Sequence, residues 1–429
     1  MRTRGLLAWG IASIMALAIA AAILLLVQPP VHAQEAAVFT VNATTLESHY
    51  PRGMTFTIDA ASSAGEITRA TLFYELRTGL RERANASQDA EGRWVAEPYR
   101  QGGGLPPWVD FHYWWLLTDS AGNTFETEKQ YGIYEDNTRD WWSIDTEDIT
   151  LYWFGEMPEL GEQVAATMAE MREYFTLGWG RTLSYKPLAI LFPPGDIWNE
   201  YVAGGVNPNA AGFTNPAEGF TVQSMGDPRS PERHEELRTQ CGGYWYGNRE
   251  NTPEQWRVQD TVHTIVHETV HLYQSDFNRS GPFFWTEGQA DYFSSLSGWR
   301  NRDSEARMIA YGAAGYELPT LQGDQLGGGA TRSADGCHAL GYAVGESFIR
   351  FIVTNYGGLE THRRIVEAMP GRGVEGAIAA VLGKPFVEVE NEFRALYGLP
   401  PVGLLPTPTP FALPALPIFA TPTPFAPGN

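Results

Sequence analysis

The sequence predicts a multidomain protein in which an all-β region precedes a domain that mixes α/β and helical character. Three observations in the 429-residue chain predict this. Apolar and polar residues alternate from about Val38 to Tyr134, the period-two pattern of half-buried strands. After about Glu135, strand-length apolar runs alternate with segments of helical spacing, as in an α/β sheet. From Gly336 to Leu396 only helical spacing remains. The expected division is 1–33, an apolar leader; 38–136, the β region; 147–398, the α/β and helical domain; and 399–429, a tail.

Within the β region, Met54, Phe56, Ile58 and Ala60 alternate with Thr55, Thr57 and Asp59, and Ala70, Leu72, Tyr74 and Leu76 follow. Phe111 to Thr118 is a dense aromatic strand. Asp119-Ser120-Ala121-Gly122-Asn123 supplies a turn, and Thr124 to Gly132 returns. Short strands punctuated by turns over about 100 residues suggest an immunoglobulin- or fibronectin-like sandwich. Its expected role is a spacer or docking domain, because aromatics in strands usually face a core.

A linker is expected near Glu135 to Trp142. Ile149 to Phe154 then reads as a strand, Glu159 to Phe175 as a helix and Pro187 to Phe192 as a second strand. Ala211 to Thr214 and Gly219 to Gln223 read as two short strands, and Gln255 to Asp276 as a long helix. Gly336 to Tyr356 carries Ala339, Leu340, Ala343, Val344, Phe348, Ile349 and Ile352 at core-helix spacing. Helices are also expected at Leu359 to Met369, Gly373 to Leu382 and Pro385 to Leu396. From Leu399 the chain is rich in Pro and Thr, as in Pro406-Thr407-Pro408-Thr409-Pro410, and reads as an extended, disordered tail.

The chemistry concentrates in His267-Glu268-Thr269-Val270-His271 and, about 14 residues later, Trp285-Thr286-Glu287-Gly288-Gln289-Ala290-Asp291-Tyr292. Residues four apart on a helix stack one turn above each other, so His267 and His271 can aim two imidazoles at one metal ion. Glu287 offers a third donor and leaves a fourth tetrahedral position for water, the arrangement of catalytic zinc. Glu268 would then lie beside that water as its base. Glu287 and Asp291 are again one turn apart, so Asp291 could hold the outer N–H of a ligand histidine. A core helix with incidental histidines is the alternative. It would bury four ionisable side chains without a cation, at a heavy desolvation cost. His263, one turn before His267, reads as a hydrogen-bonded core or cleft-wall histidine, since three protein ligands already complete the set.

On these two motifs the chain resembles the gluzincin branch of HExxH metallopeptidases, of which thermolysin is the best-known member, and most closely the bacterial peptidase MA-like type. Trp285 to Phe293 match the W-x-E-G-x-A-[DE]-Y-F pattern of the second metal helix. The resemblance spans roughly Asp148 to Gly398 and implies a zincin-like catalytic domain. It also implies Zn2+ held by His267, His271 and Glu287, with Glu268 as base and Asp291 behind a ligand. The expected reaction is hydrolysis of a peptide or protein substrate, with Glu268 passing the water proton to the leaving amine and a neutral donor stabilising the oxyanion. Tyr342 or His338 is the candidate donor. Gluzincins bind extended substrate along the strand edging the cleft, and Gly219 to Gln223 is the candidate for that edge. The Gly-x-Met-x-Asn signature of related aminopeptidases is missing, which favours an endopeptidase.

A formal charge of −20 argues against nucleic acid or an anionic membrane surface as partner, since both reward clustered Lys and Arg. Arg2 and Arg4 precede an apolar run from Leu6 to Val27, and Val31-His32-Ala33 has the small residues that a signal peptidase reads. The run reads equally as a cleaved signal or a retained membrane anchor. Either places the catalytic domain outside the cytoplasm. There, Cys241 and Cys337 are expected to form a disulfide, which two free thiols in non-reducing mass spectrometry would rule out. Two other functions fit the sequence: a zinc hydrolase of a non-peptide substrate, and an inactive surface-binding protein. The oligomeric state is not legible.

Overall fold

A computed structural model describes residues 37–98, 105–155, 157–194, 210–226, 253–299, 304–315, 317–326 and 340–403. The leader, Cys241, Cys337, His338 and the Pro/Thr tail lie outside the described residues. Among the described residues no helix is long and apolar enough to cross a membrane.

The N-terminal region is a pair of antiparallel sheets. The first has the order β1-β2-β6-β5, from β1 (Phe39–Ser48), β2 (Met54–Ser62), β5 (Ser87–Gln88) and β6 (Trp94–Ala96). The second has the order β4-β3-β7-β8, from β3 (Ile67–Leu76), β4 (Arg81–Asn85), β7 (Asp110–Asp119) and β8 (Thr124–Glu126). Its fifth strand, β9 (Gln130–Ile133), pairs the first half of β7, as β8 pairs the second half. The strand expected to return from the turn at Asp119 is thus broken in two. At the break, the Trp115 amide donates to the Thr127 hydroxyl. The turn itself is closed by the Asp119 carboxylate, which accepts from the Ala121 and Asn123 amides. Met54, Phe56, Ile58, Ala70, Leu72, Tyr74 and Leu76 are buried, as period-two alternation requires.

A five-stranded mixed sheet follows, in the order β10-β11-β12-β14-β13. Its members are β10 (Trp141–Asp145), β11 (Thr150–Phe154), β12 (Leu188–Phe192), β13 (Gly212–Asn215) and β14 (Phe220–Ser224). The three central strands run parallel, with an antiparallel strand at each edge. β10 begins at Trp141, within the segment expected to be a linker.

Both faces of this sheet are covered, which is why β12 reads as an unbroken apolar run. Ala189 and Leu191 face helices α1 (Leu160–Trp179) and α2 (Pro253–Asp276) in one core. Leu188, Ile190, Phe192, Phe220 and Val222 join Phe56, Leu72 and Trp115 of the N-terminal sheets in the other. The contact is specific as well as apolar: Arg77 Nη1 donates to the Lys186 carbonyl at 2.8 Å, and Trp108 stacks on Tyr152 at 4.7 Å. The N-terminal region is therefore half of a shared core, which a free spacer would not be.

Among the described residues the remaining α-helices are α3 (Phe283–Leu296), α4 (Ser304–Ala313), α5 (Leu340–Tyr356), α6 (Leu359–Ala368), α7 (Gly373–Leu382) and α8 (Phe386–Leu396). α3 and α5 cross in backbone contact. A Cβ added to Gly288 would lie 2.4 Å from the Gly345 carbonyl carbon, and one on Gly345 would lie 2.2 Å from the Phe284 carbonyl oxygen. Only glycine permits that approach. Gly288→Ala or Gly345→Ala is expected to cost about 1–3 kcal/mol or more through overpacking. The urea midpoint should fall accordingly, whereas Gly376→Ala, whose Cβ meets only the Arg372 side chain, should leave it nearly unchanged.

Candidate metal centre

Helix α2 carries His263, His267, Glu268 and His271, and α3 carries Glu287 and Asp291. Six residues, 277–282, reverse the chain between the two helices. The reversal is held by the Arg279 amide donating to the Gln274 carbonyl and by Asn278 at φ 50°. α3 consequently lies against α2 and returns Glu287 to the face that bears the two imidazoles.

His267 Nε2 lies 3.2 Å from Glu287 Oε2, His271 Nε2 lies 3.5 Å from the same oxygen, and the two Nε2 atoms are 3.3 Å apart. A tetrahedral zinc ion bonded at about 2.0–2.1 Å requires its ligands to be about 3.3–3.4 Å from one another. The triangle has that size. The set consists of two imidazoles and one carboxylate, the donors that zinc takes in sites that retain an open position.

The outer nitrogens are held by groups that fix the tautomers. His267 Nδ1 lies 2.8 Å from Asp291 Oδ1, a carboxylate that only accepts, so Nδ1 keeps a proton and Nε2 is the nitrogen turned to the triangle. His271 Nδ1 lies 2.9 Å from Gln274 Oε1 and is held the same way. His263 is buried, 3.3 Å from Ser294 Oγ and 4.0 Å from Asp291 Oδ1. With His267 and Asp291 it forms a second group of donors. Asp291 already serves His267 there, which leaves His263 behind the triangle.

Glu268, 8 % exposed, is buried against the outer strand β13. The Thr214 hydroxyl on that strand donates to its carboxylate. Gly212 makes the approach possible, since a Cβ there would sit 2.8 Å from Glu268 Oε1 and 3.0 Å from Thr264 Cγ2. Tyr342, on α5, places its ring 6.3 Å from that of His267 and edge-on to Phe283 at 5.2 Å. The glycine contact between α3 and α5 brings it there. Gly219 to Gln223 is not an edge: β14 is buried along its length between β12 and β13. A continuous apolar-polar strand reads alike at an edge or in the middle of a sheet, so sequence alone misplaced it.

Thr214, Gln274, Gln289 and His362 escaped the sequence reading. Each is a common polar residue whose partner lies in another element. Gln274, one helical turn beyond Val270 and three residues after His271, could have been flagged by its spacing.

Burial opposes charge on His267, but Asp291 and Glu287 outweigh it and push the imidazole up to about 10. Burial likewise opposes charge on Glu287, and the two histidines overcome it, holding the carboxyl down at about 2. His271 is raised in the same way, against burial, by Glu287. All three shifts express one cluster of opposite charges.

No family model matches the chain, and no curated protein matches it. Among solved structures it is similar over most of its length to an aminopeptidase N family protein from Idiomarina loihiensis, at 10 % identity, covering 86 % of this chain and 77 % of that one, with a TM-score of 0.35. An M1 zinc metallopeptidase from Deinococcus radiodurans matches at 13 % identity, covering 82 % and 91 %, with a TM-score of 0.34. A polysaccharide deacetylase from Bacillus cereus overlaps 39 % of this chain and 54 % of its own at 11 % identity and a TM-score of 0.19. Superpositions this loose carry no functional argument, which rests on the side chains.

The proton on His267 stabilises the metal-free fold fully below the unfolded-state value of about 6.5, and that contribution is lost as pH rises through about 10. A metal ion must displace it. Apparent zinc affinity, measured by chelator competition, should therefore rise about tenfold per pH unit for each proton released, levelling off as pH passes about 10.

Proposed function

We propose that the protein is an extracytoplasmic zinc-dependent metallopeptidase, with His267, His271 and Glu287 as ligands and Glu268 as general base. The observation that carries this reading is the triangle of donor atoms at 3.2, 3.3 and 3.5 Å with a buried carboxylate on the same helix beside it. Zinc held there supplies Lewis acidity and a bound water whose pKa falls from about 15.7 toward 7.

The chain's own residues supply the rest. Glu268 takes the water proton and returns it to the leaving amine, and the Thr214 hydroxyl orients its carboxylate for both transfers. Asp291 and Gln274 keep both imidazoles in the Nδ1–H tautomer. Tyr342, neutral and beside His267, is the oxyanion donor in this reading. The outer strand β13 offers main-chain groups to an extended substrate, in place of the internal β14. The missing Gly-x-Met-x-Asn signature supports cleavage of internal bonds. The strand orders β1-β2-β6-β5 and β4-β3-β7-β8 support an immunoglobulin- or fibronectin-type N-terminal region. The apolar run from Leu6 to Val27 supports export or anchoring.

Metal analysis beside peptide-library cleavage tests the reading. Glu268→Gln should retain one zinc per chain and lose turnover by at least about a hundredfold. Tyr342→Phe should lower kcat by about 10²–10³ with little change in KM. Cleavage of peptides blocked at both ends marks an endopeptidase, and cleavage only of free amino termini marks an aminopeptidase. Zinc without cleavage points to a non-peptide substrate or an inactive surface protein, and absence of zinc sinks the site.

A further inference from the structure

We propose that Gln274, Gln289 and His362 are positioning residues, forming a one-directional hydrogen-bond relay that runs from His271 to the C-terminal end of α1 and fixes the His271 Nε2 toward the metal. The proposal rests on the reading of His267, His271 and Glu287 as ligands. It goes beyond that reading in assigning roles to three residues on three helices that neither touch the metal nor are specified by either motif, Gln289 standing at a variable position of the second.

The direction follows from the two backbone carbonyls it meets, of Thr286 and Gly178, which can only accept. The Gln274 side-chain nitrogen lies 2.7 Å from the Thr286 carbonyl oxygen, so that end of the amide is the NH2. Its other end is then the oxygen and must accept from His271 Nδ1–H at 2.9 Å. The second N–H of Gln274 donates to Gln289 Oε1 at 3.0 Å, which leaves the Gln289 NH2 facing His362 Nε2 at 2.8 Å. His362 Nε2 is therefore an acceptor without a proton. Its Nδ1–H donates to the Gly178 carbonyl at 2.9 Å, where the relay ends. Each amide flip and each tautomer is over-determined, because reversing any one member would set two donors or two acceptors against each other.

Water cannot substitute for a broken link. Gln274, Gln289 and His362 are buried, and the His362 ring is enclosed by Trp179, Trp285 and Phe293. Its stacking partner Trp285, parallel within 13° at 5.8 Å, lies two residues before Glu287. The relay thus ties α1, α2, α3 and α6 to the rotation of one imidazole. His267 has a carboxylate for the same purpose, and His271 has this neutral chain instead.

The test uses the full chain labelled with 15N-histidine. In the metal-free parent, the imidazole nitrogen shifts should show His362 protonated at Nδ1 and bare at Nε2. The opposite tautomer would overturn the proposal. Zinc affinity by chelator competition should fall about 10- to 100-fold in Gln289→Met, which cannot accept from Gln274 in the same way. It should largely recover in Gln289→Glu, whose carboxylate still accepts from Gln274 and draws a second proton onto His362 Nε2, so the 15N shifts of that variant should show His362 protonated at both nitrogens. Equal loss in both variants would show a packing role only and reject the relay. Zinc bound equally well by the parent and Gln289→Met would reject the relay alone, whereas no zinc in the parent would reject the metal reading beneath it. If Gln289→Met does not fold, the His362 tautomer in the parent decides the matter.

Discussion

Three donor atoms from ionisable side chains, two imidazole nitrogens and a carboxylate oxygen, lie within 3.5 Å of one another in a largely buried setting. Such a cluster is costly unless a positive charge sits in it, as protons in the metal-free protein or as a metal ion otherwise. Much of the C-terminal region serves to hold that arrangement. α3 must lie close enough to α2 for one Glu287 oxygen to reach both histidines. The Gly288–Gly345 contact lets α5 press against α3 from behind and carries Tyr342 to the rim.

The surrounding hydrogen bonds have the same logic. A buried imidazole can bind a cation through Nε2 only if Nδ1 keeps its proton, so each ring needs an acceptor behind it. Asp291 supplies one directly, and its charge helps to raise His267. His271 takes its acceptor from a neutral glutamine, which limits the negative charge buried beside Glu287. The two histidines thus face the same position with different electrostatic support.

The N-terminal sheets bear on this site through the mixed sheet. β12 and β14 are covered by helices on one face and by the N-terminal core on the other, so the strand that meets Glu268 is backed by a rigid layer. Removing the N-terminal region would expose Leu188, Ile190, Phe192, Phe220 and Val222 together. An apolar surface of that kind is unstable in water, and the region is accordingly part of the foundation of the mixed sheet.

Periodicity made the elements legible. Alternation marked Met54 to Ala60 and Ala70 to Leu76, and helical spacing marked α2, α5 and the last three helices, because those patterns record which face is buried. The two motifs made the donor types legible, since histidines four apart share a helix face whatever the fold. Neighbours across the chain were not legible. Sequence could not show that β13 and not β14 forms the edge, that Gly212 lets Thr214 reach Glu268, or that His362, 91 residues after His271, completes a chain of hydrogen bonds to it. The sequence by itself determined the local conformations and the chemistry available, because each depends on residues a few positions apart. Only the tertiary structure decided which donors converge and in what tautomer, because those follow from helix crossings and chain reversals that bring distant residues within hydrogen-bond reach.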